Sequence, residues 1–225
     1  MPFRNRAEAG QKLAIALAGC RDKNPVILAL PRGGVPVAAE IAAALDAPLD
    51  VILVRKIGVP FEPELAMGAV VDGAAPLIVR NEDVIRHAGV SEADFKTACA
   101  AQTREIERRR QRYLGGRDRA DVAGCTAIVV DDGVATGATT RAALRATRLR
   151  NPRRLILAVP VAPSDSLAEL RREADEVVCL EDYPFFGAIG FYYSDFRQVA
   201  DDEVIETLKR HPPRKMSNAV PVPAA

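Results

Sequence analysis

The stretch AIVVDDGVATGATT, residues 127–140, sets two carboxylates side by side at the end of an apolar run and follows them with small side chains and hydroxyls. One acid is enough to cap a turn, and neighbouring carboxylates repel each other. The second of Asp131 and Asp132 is therefore better explained by a cation or by the hydroxyls of a polyol than by capping alone. Behind the acids, Ala135, Thr136, Gly137, Ala138, Thr139 and Thr140 would carry backbone amides into the start of a helix, and the three threonines would add hydroxyls. Such a nest binds anions. A helix dipole alone supplies only ~0.3–2 kcal/mol, so the amides and hydroxyls together must provide most of the grip. Acids suited to ribose hydroxyls, followed by a nest suited to a 5-phosphate, describe a site for a sugar phosphate. The stretch has no lysine, which excludes a P-loop, and it lacks the GxGxxG spacing of a dinucleotide fingerprint.

Three further segments offer chemistry. In LPRGGVPVAAEIA, residues 30–42, Arg32 stands beside Gly33 and Gly34 between an apolar run and a helix pattern; a plain turn explains the glycines but not the arginine. In VRKIGVP, residues 54–60, Lys56 ends an apolar run, a position that strand-end solvation would also explain. EDYPFFGAIGFYYSDF, residues 181–196, holds seven of the eleven aromatic residues in a chain with four Tyr, seven Phe and no Trp. Such a cluster makes a small subcore, a dimer face, or a stacking surface for a planar base; Phe186 and Tyr192 are the candidates for the last.

The elements that must hold these residues are legible from periodicity. Apolar positions at helical spacing predict a helix over 6–18, ended by Gly19. VILAL (26–30) reads as a buried strand, VPVAAEIAAAL (35–45) as a helix, and LDVILVR (49–55) as a second strand, which together suggest a right-handed parallel crossover. Residues 56–80 change character, with prolines, glycines and an Asp-Gly turn between AMGAVV and APLIVR, and predict a mobile loop over 57–66 and a hairpin. Ser91, with Glu92 and Asp94 after it, opens a long helix to Leu114. Strands return at 126–130, 154–160 and 176–180, with helices over 140–149 and 164–173 between them. That alternation predicts an α/β fold with an open, doubly wound parallel sheet flanked by helices, whose ligands bind outside the carboxyl ends of the strands. The proline-rich segment over 211–225 predicts a disordered tail.

Composition excludes several function classes. With 31 basic and 30 acidic residues in 225, the chain has no overall field to steer nucleic acid, and the apolar stretch near the N-terminus is too short and too charged for a membrane span or signal peptide. A cytoplasmic protein with no membrane partner is expected. Cys20, Cys99, Cys125 and Cys179 are scattered, without metal spacing, and read as reduced packing residues. The run REIERRRQR, 104–112, reads as a solvated helix face with Glu105 and Arg109 paired; a basic patch for RNA is the alternative.

The acid-and-threonine stretch resembles the phosphoribosyl pyrophosphate (PRPP) motif of type I phosphoribosyltransferases. Gly133 stands where that motif usually has an apolar residue, and Ala138 where glycine is common. LPRGGVPVA is similar to the family's diphosphate loop, which often contains a non-proline cis peptide, and VRKIGVP to the segment where its flexible loop begins. A bacterial branch of the family shares PRGGVPVA, VRKIGxP, a following ExAMGAV (here Glu64, Ala66, Met67, Gly68) and a long helical insertion.

The resemblance implies a single domain over 1–210: a core at about 25–160, a helical insertion at 81–114 and a small hood at about 181–196. It also implies Mg2+-dependent transfer of the 5-phosphoribosyl group from PRPP to a nitrogenous acceptor, a nucleobase of nucleotide salvage, with release of diphosphate. Arg32, Lys56, Asp131 and Asp132 would be catalytic. PRPP would be held by these and by Gly33, Gly34, Ala135, Thr136, Gly137, Ala138, Thr139 and Thr140, with the acids meeting the metal indirectly, through ribose or water. Glu64 is assigned to the closed state of the loop, and a homodimer is expected. The alternative the family offers is a nucleotide-sensing regulator, with or without RNA binding.

Overall fold

The computed structural model describes residues 2–73 and 76–212. Five parallel strands form the main sheet: β1 (Pro25–Ala29), β2 (Leu49–Val51), β6 (Thr126–Val130), β7 (Arg154–Pro163) and β8 (Glu176–Tyr183), in the order β2-β1-β6-β7-β8. Their side chains alternate between two cores, as a period of two requires. Ile27, Ile128 and Ile156, which are register partners, point to one face with Ala29, Val130 and Ala158; Leu28, Val129 and Leu157 point to the other. Helices cover both faces, which is why these strands read as unbroken apolar runs.

On the first face lie α1 (Arg6–Ala16), α2 (Gly34–Leu45), α4 (Glu92–Leu114) and α7 (Asp201–Arg210), contributing Leu13, Ile41, Phe95, Ile106, Val204 and Leu208 among others. The second is covered by α5 (Ala138–Arg148) and α6 (Ser164–Leu170). Asn5 caps α1 by accepting from the Glu8 amide, and Ser91 caps α4 by accepting from that of Asp94. Helix α1 ends at Ala16, and a 3-10 turn over Ala18–Cys20 follows, so Gly19 lies beyond the helix end. A short helix, α3 (Glu82–His87), precedes α4. The Arg109 guanidinium meets Glu105 at 2.8 Å on the α4 face. Cys20, Cys99 and Cys125 are buried, and Cys179 is half-buried.

Three readings of the sequence need correction. The run 49–55 is two strands, not one: Leu49–Val51 pairs with β1, the chain turns at Ile52 and Leu53, and β3 (Val54–Val59) joins a separate antiparallel sheet with β4 (Glu62–Val71) and β5 (Leu77–Arg80). An apolar run carries no mark of a change of sheet when buried residues lie on both sides of it. Residues 57–66 form the paired arms of the β3–β4 hairpin, not an open loop, with register shifts at Gly58. Helix α7 has no counterpart in the sequence reading. The β4–β5 hairpin follows the expectation. Of the proposed tail, 213–225 lies outside the described residues. Among the described residues no helix is long and apolar enough to cross a membrane.

Candidate active site

The diphosphate-type loop and the acid loop leave adjacent strands. Leu30 N donates to Val130 O at 2.8 Å, and the two chains then run past each other so closely that glycine is required. A Cβ on Gly33 would stand 2.0 Å from Asp132 Oδ2, and one on Gly34 would stand 2.6 Å from Val130 O. The peptide between Pro31 and Arg32 is cis, as the resemblance implied. Helices α2 and α5 start directly after these loops, with Gly33 and Gly137 at their N-cap positions, and neither start has a side-chain cap. Two helix N-termini without side-chain caps, with their positive dipole ends, thus open at neighbouring strand ends; at the first, the Gly34 and Val35 amides donate to Leu30 O and Arg32 O at 3.0 and 3.2 Å. Ala135, Thr136, Ala138 and Thr139 are exposed around the second, whereas Gly137 and Thr140 are buried.

The two acids are not equivalent. Asp132 is buried and forms an ion pair with Arg6 of α1, whose Nε donates to Oδ2 at 2.7 Å. Its backbone carbonyl accepts from the Tyr193 hydroxyl at 2.6 Å. Asp131 is half-exposed, and its Oδ1 accepts the Asp132 amide at 2.9 Å. Removal from water, and then the charge of Asp132, push the Asp131 carboxyl well above the usual carboxylate range. Burial, and then the same charge, push the Tyr193 phenol upward.

Both candidate diphosphate cations have carboxylate neighbours. Lys56 Nζ donates to Glu64 O at 3.0 Å and to Glu64 Oε2 at 3.1 Å across the β3–β4 hairpin. Arg32 Nη1 lies 3.6 Å from Asp201 Oδ1 at the start of α7. Asp201 also accepts from the Tyr113 hydroxyl at 2.6 Å and pairs with Arg112 at 3.1 Å, so the long helix and the last helix meet at this carboxylate. The Tyr113 bond, helped by Arg112 and Arg32, holds Asp201 below its ordinary value.

A cleft of about 690 Å³ runs between the antiparallel sheet and the start of α5, lined by Lys56, Thr136, Ala138 and Thr139 together with Arg80 and Arg145. A second, of about 480 Å³, shares Lys56 and Thr139. Lys56 is therefore brought to the threonine loop. Asp131, Asp132 and Arg32 do not line these two clefts.

The aromatic segment reaches the acid loop. Ile189 packs on Gly133, whose Cβ would stand 2.6 Å from Ile189 Cγ2 and 3.4 Å from Val161 Cγ1. The apolar group missing from position 133 is thus supplied from 189. Phe186 and Tyr192 are half-buried and stack on each other at 4.8 Å, with Tyr183 4.7 Å from Tyr192. They belong to a small cluster around Phe3, Val161 and Tyr193, so the subcore reading of this segment holds for Tyr193, whereas Phe186 and Tyr192 keep exposed surface. Phe3 N donates to Tyr192 O, and Ser194 N to Phe3 O, both at 2.8 Å, which ties the N-terminal residues to the segment.

Sequence reasoning missed Arg6, Tyr113, Ile189 and Asp201. Arg6 had a signal: it shares the buried face of α1 with Ala9 and Leu13, where a lone charge requires a partner. Among the described residues no three His, Cys, Asp or Glu side chains converge as a metal site. An Mg2+ bound chiefly through substrate oxygens and water needs only one or two carboxylates, and the half-exposed Asp131, whose Oδ1 accepts the Asp132 amide, offers one. The donor set fits such an ion.

The family model of the phosphoribosyl transferase domain matches residues 4–196. Two Mycobacterium tuberculosis proteins, from strains CDC 1551 / Oshkosh and ATCC 25618 / H37Rv, have names that place them among the phosphoribosyl transferases; each is 47% identical over 208 residues, 92% of this chain and 46% of theirs. The chain thus spans about half the length of these relatives. The crystal structure of TT1426 from Thermus thermophilus is 42% identical, aligned over 94% of this chain and 100% of that one, with a TM-score of 0.82.

Proposed function

The chain belongs to the phosphoribosyl transferase domain family, and from that premise we propose that it transfers the 5-phosphoribosyl group of PRPP to a nitrogenous acceptor, a nucleobase, with release of diphosphate. One observation carries this reading: two uncapped helix N-termini open side by side, one behind Arg32 and one behind an acid pair, with Gly33 packed on Asp132. That spacing offers separate anion sites for the diphosphate and the 5-phosphate, and a carboxylate between them for the ribose hydroxyls.

Departure of diphosphate from the anomeric carbon leaves positive charge on the ribose and gathers negative charge on the leaving group. The protein's part is positioning and charge. Gly33 would offer its amide to the diphosphate, with the Gly34 amide tied to Leu30 O at 3.0 Å and shaping the loop, and Arg32 and Lys56 would neutralise the diphosphate as it leaves. The amides and hydroxyls of residues 135–140 would hold the 5-phosphate. Asp131, with Asp132 behind it, would orient the ribose hydroxyls and the water shell of a bound Mg2+. Mg2+, when bound, supplies charge neutralisation on the diphosphate. The half-buried faces of Phe186 and Tyr192 would stack on a planar acceptor, and the exposed Phe185 and Phe191 beside them offer apolar surface to a second copy. We divide the chain accordingly into a core, the insertion carrying α3 and α4, and a hood around 181–196.

Calorimetry of PRPP with and without Mg2+, followed by a screen of nucleobases read by diphosphate release, tests the reading. It fails if the parent protein does not bind PRPP, or if Asp131→Asn binds it as tightly as the parent.

A further inference from the structure

Asp201 opens α7, and three groups from two other parts of the chain converge on it. The Tyr113 hydroxyl, near the end of α4, donates to Oδ1 at 2.6 Å, Arg112 Nε lies 3.1 Å from Oδ2, and Arg32 Nη1 lies 3.6 Å from Oδ1. An acid in the first turn suits a helix dipole, but Asp202 and Glu203 already stand in that turn. The dipole does not explain why Asp201 turns inward, its side chain 22% exposed where that of Asp202 is 89% exposed. Tyr113 is buried, so its hydroxyl needs an acceptor, and this bond fixes the carboxylate. Arg112 balances its charge. The Arg32 contact is of another kind. At 3.6 Å it is too long for a hydrogen bond, so Arg32 is held by charge and spends none of its N–H donors on Asp201. A guanidinium carries five such donors in a fixed fork, and freezing so long a side chain when a ligand arrives is costly. A fixed counter-charge beside it removes part of that cost in advance.

We propose that Asp201 is a positioning residue for the diphosphate cation: held by Tyr113 and Arg112, it keeps the Arg32 guanidinium in one orientation and leaves its donors for the diphosphate. The long helix α4 then has a part in ligand binding, since it supplies both groups that hold the carboxylate. The proposal rests on the PRPP reading of the site. It follows from no motif, because Asp201 lies beyond residues 4–196, which the family model covers.

The test is a double-variant cycle of the parent, Asp201→Asn, Arg32→Met and the two together. PRPP binding is read by calorimetry with Mg2+, titrated high enough that weakened variants still saturate, and thermal unfolding is followed without ligand. Asp201→Asn keeps an acceptor for Tyr113 and removes the charge, so its unfolding midpoint should stay close to the parent's. Its PRPP affinity should fall about tenfold, within the range of a directly coupled neighbour. In the Arg32→Met background the same substitution should change affinity by less than about twofold, because the group it acts on is gone. Tyr113→Phe leaves the charge but loosens it, and should cost less affinity than Asp201→Asn. Equal losses in the two backgrounds would mean that Asp201 acts on the fold and not through Arg32, and would overturn the role. A folded Asp201→Asn protein that binds PRPP as tightly as the parent overturns it too, and tighter binding would make the carboxylate a competitor for Arg32. If Asp201→Asn does not fold, the same cycle with Tyr113→Phe in its place decides between these outcomes. A parent protein that binds no PRPP overturns the site reading and the role together, and is told apart from the other results by the parent measurement alone.

Discussion

Ile189 fills the space that a side chain at position 133 would need, with its Cγ2 only 2.6 Å from where a Cβ on Gly133 would be. The hood segment and the acid loop therefore share one packed contact, and a change at either residue is felt at the other. Gly133→Ala should destabilise the protein by about 1–3 kcal/mol, as overpacking of a filled site does, and weaken PRPP binding by displacing the acids. Denaturant unfolding and calorimetry check this. Ile189→Ala probes the same contact without placing a side chain at the positive φ of Gly133; it should also weaken PRPP binding, and unchanged affinity would mean the contact does not set the loop.

Lys56→Ala should lower kcat more than it weakens PRPP binding. Its charge is most useful as diphosphate leaves, and removal of one such group costs about 10²–10³ in rate at comparable sites. Steady-state kinetics decide the matter: a raised KM with kcat intact would make Lys56 a ground-state ligand.

Tyr113 gives a pH prediction. Burial, and then its bond to Asp201, push its phenol up to about 12, above the ordinary tyrosine value of ~10. A raised pKa stabilises the fold while the group keeps its proton. The contribution should be complete below pH ~10 and be lost as pH rises from there through about 12. Ultraviolet titration of the parent against Tyr113→Phe should show the missing phenolate step near the upper value. Alkaline loss of stability should be smaller in the variant, and a step near the ordinary value would disprove the assignment.

Phe186→Ala should raise the acceptor KM about tenfold and leave PRPP affinity nearly unchanged, because a base stacked on an aromatic face gains ~1–3 kcal/mol from it. Phe186 is the cleaner probe of the stacked pair, since Tyr192 also supports Tyr183. Loss of PRPP binding in Phe186→Ala, or an acceptor KM that does not move, would remove the ring from the acceptor site.

The five parallel strands were legible because each is a short apolar run between turn residues, and both loops were legible because their chemistry is written in consecutive residues. What was not legible depends on partners distant in sequence. Arg6 meets Asp132 across 126 positions, and Arg32 meets an acid on a helix that the sequence reading lacked. Helix α7 did carry local marks, three acids in its first turn and Lys209 and Arg210 in its last, which suit its dipole. Its apolar residues are few, Val204, Ile205 and Leu208 among ten. The change of sheet after Val51 left no trace, because Ile52 and Leu53 are as buried as the strand before them and Val54 prolongs the apolar run.

The ties among Phe3, Arg6 and residues 192–197 bear on synthesis. A ribosome delivers Arg6 first, Asp132 much later and Phe196 later still, so the guanidinium at the centre of the site must wait for most of its partners. Five strands can begin to pair once β8 has emerged, but the acid loop takes its final form only after residue 197 has left the exit tunnel. During that interval the nascent chain carries a largely built sheet whose acid loop still lacks its packed cover, and ligand can assist only the last step of folding.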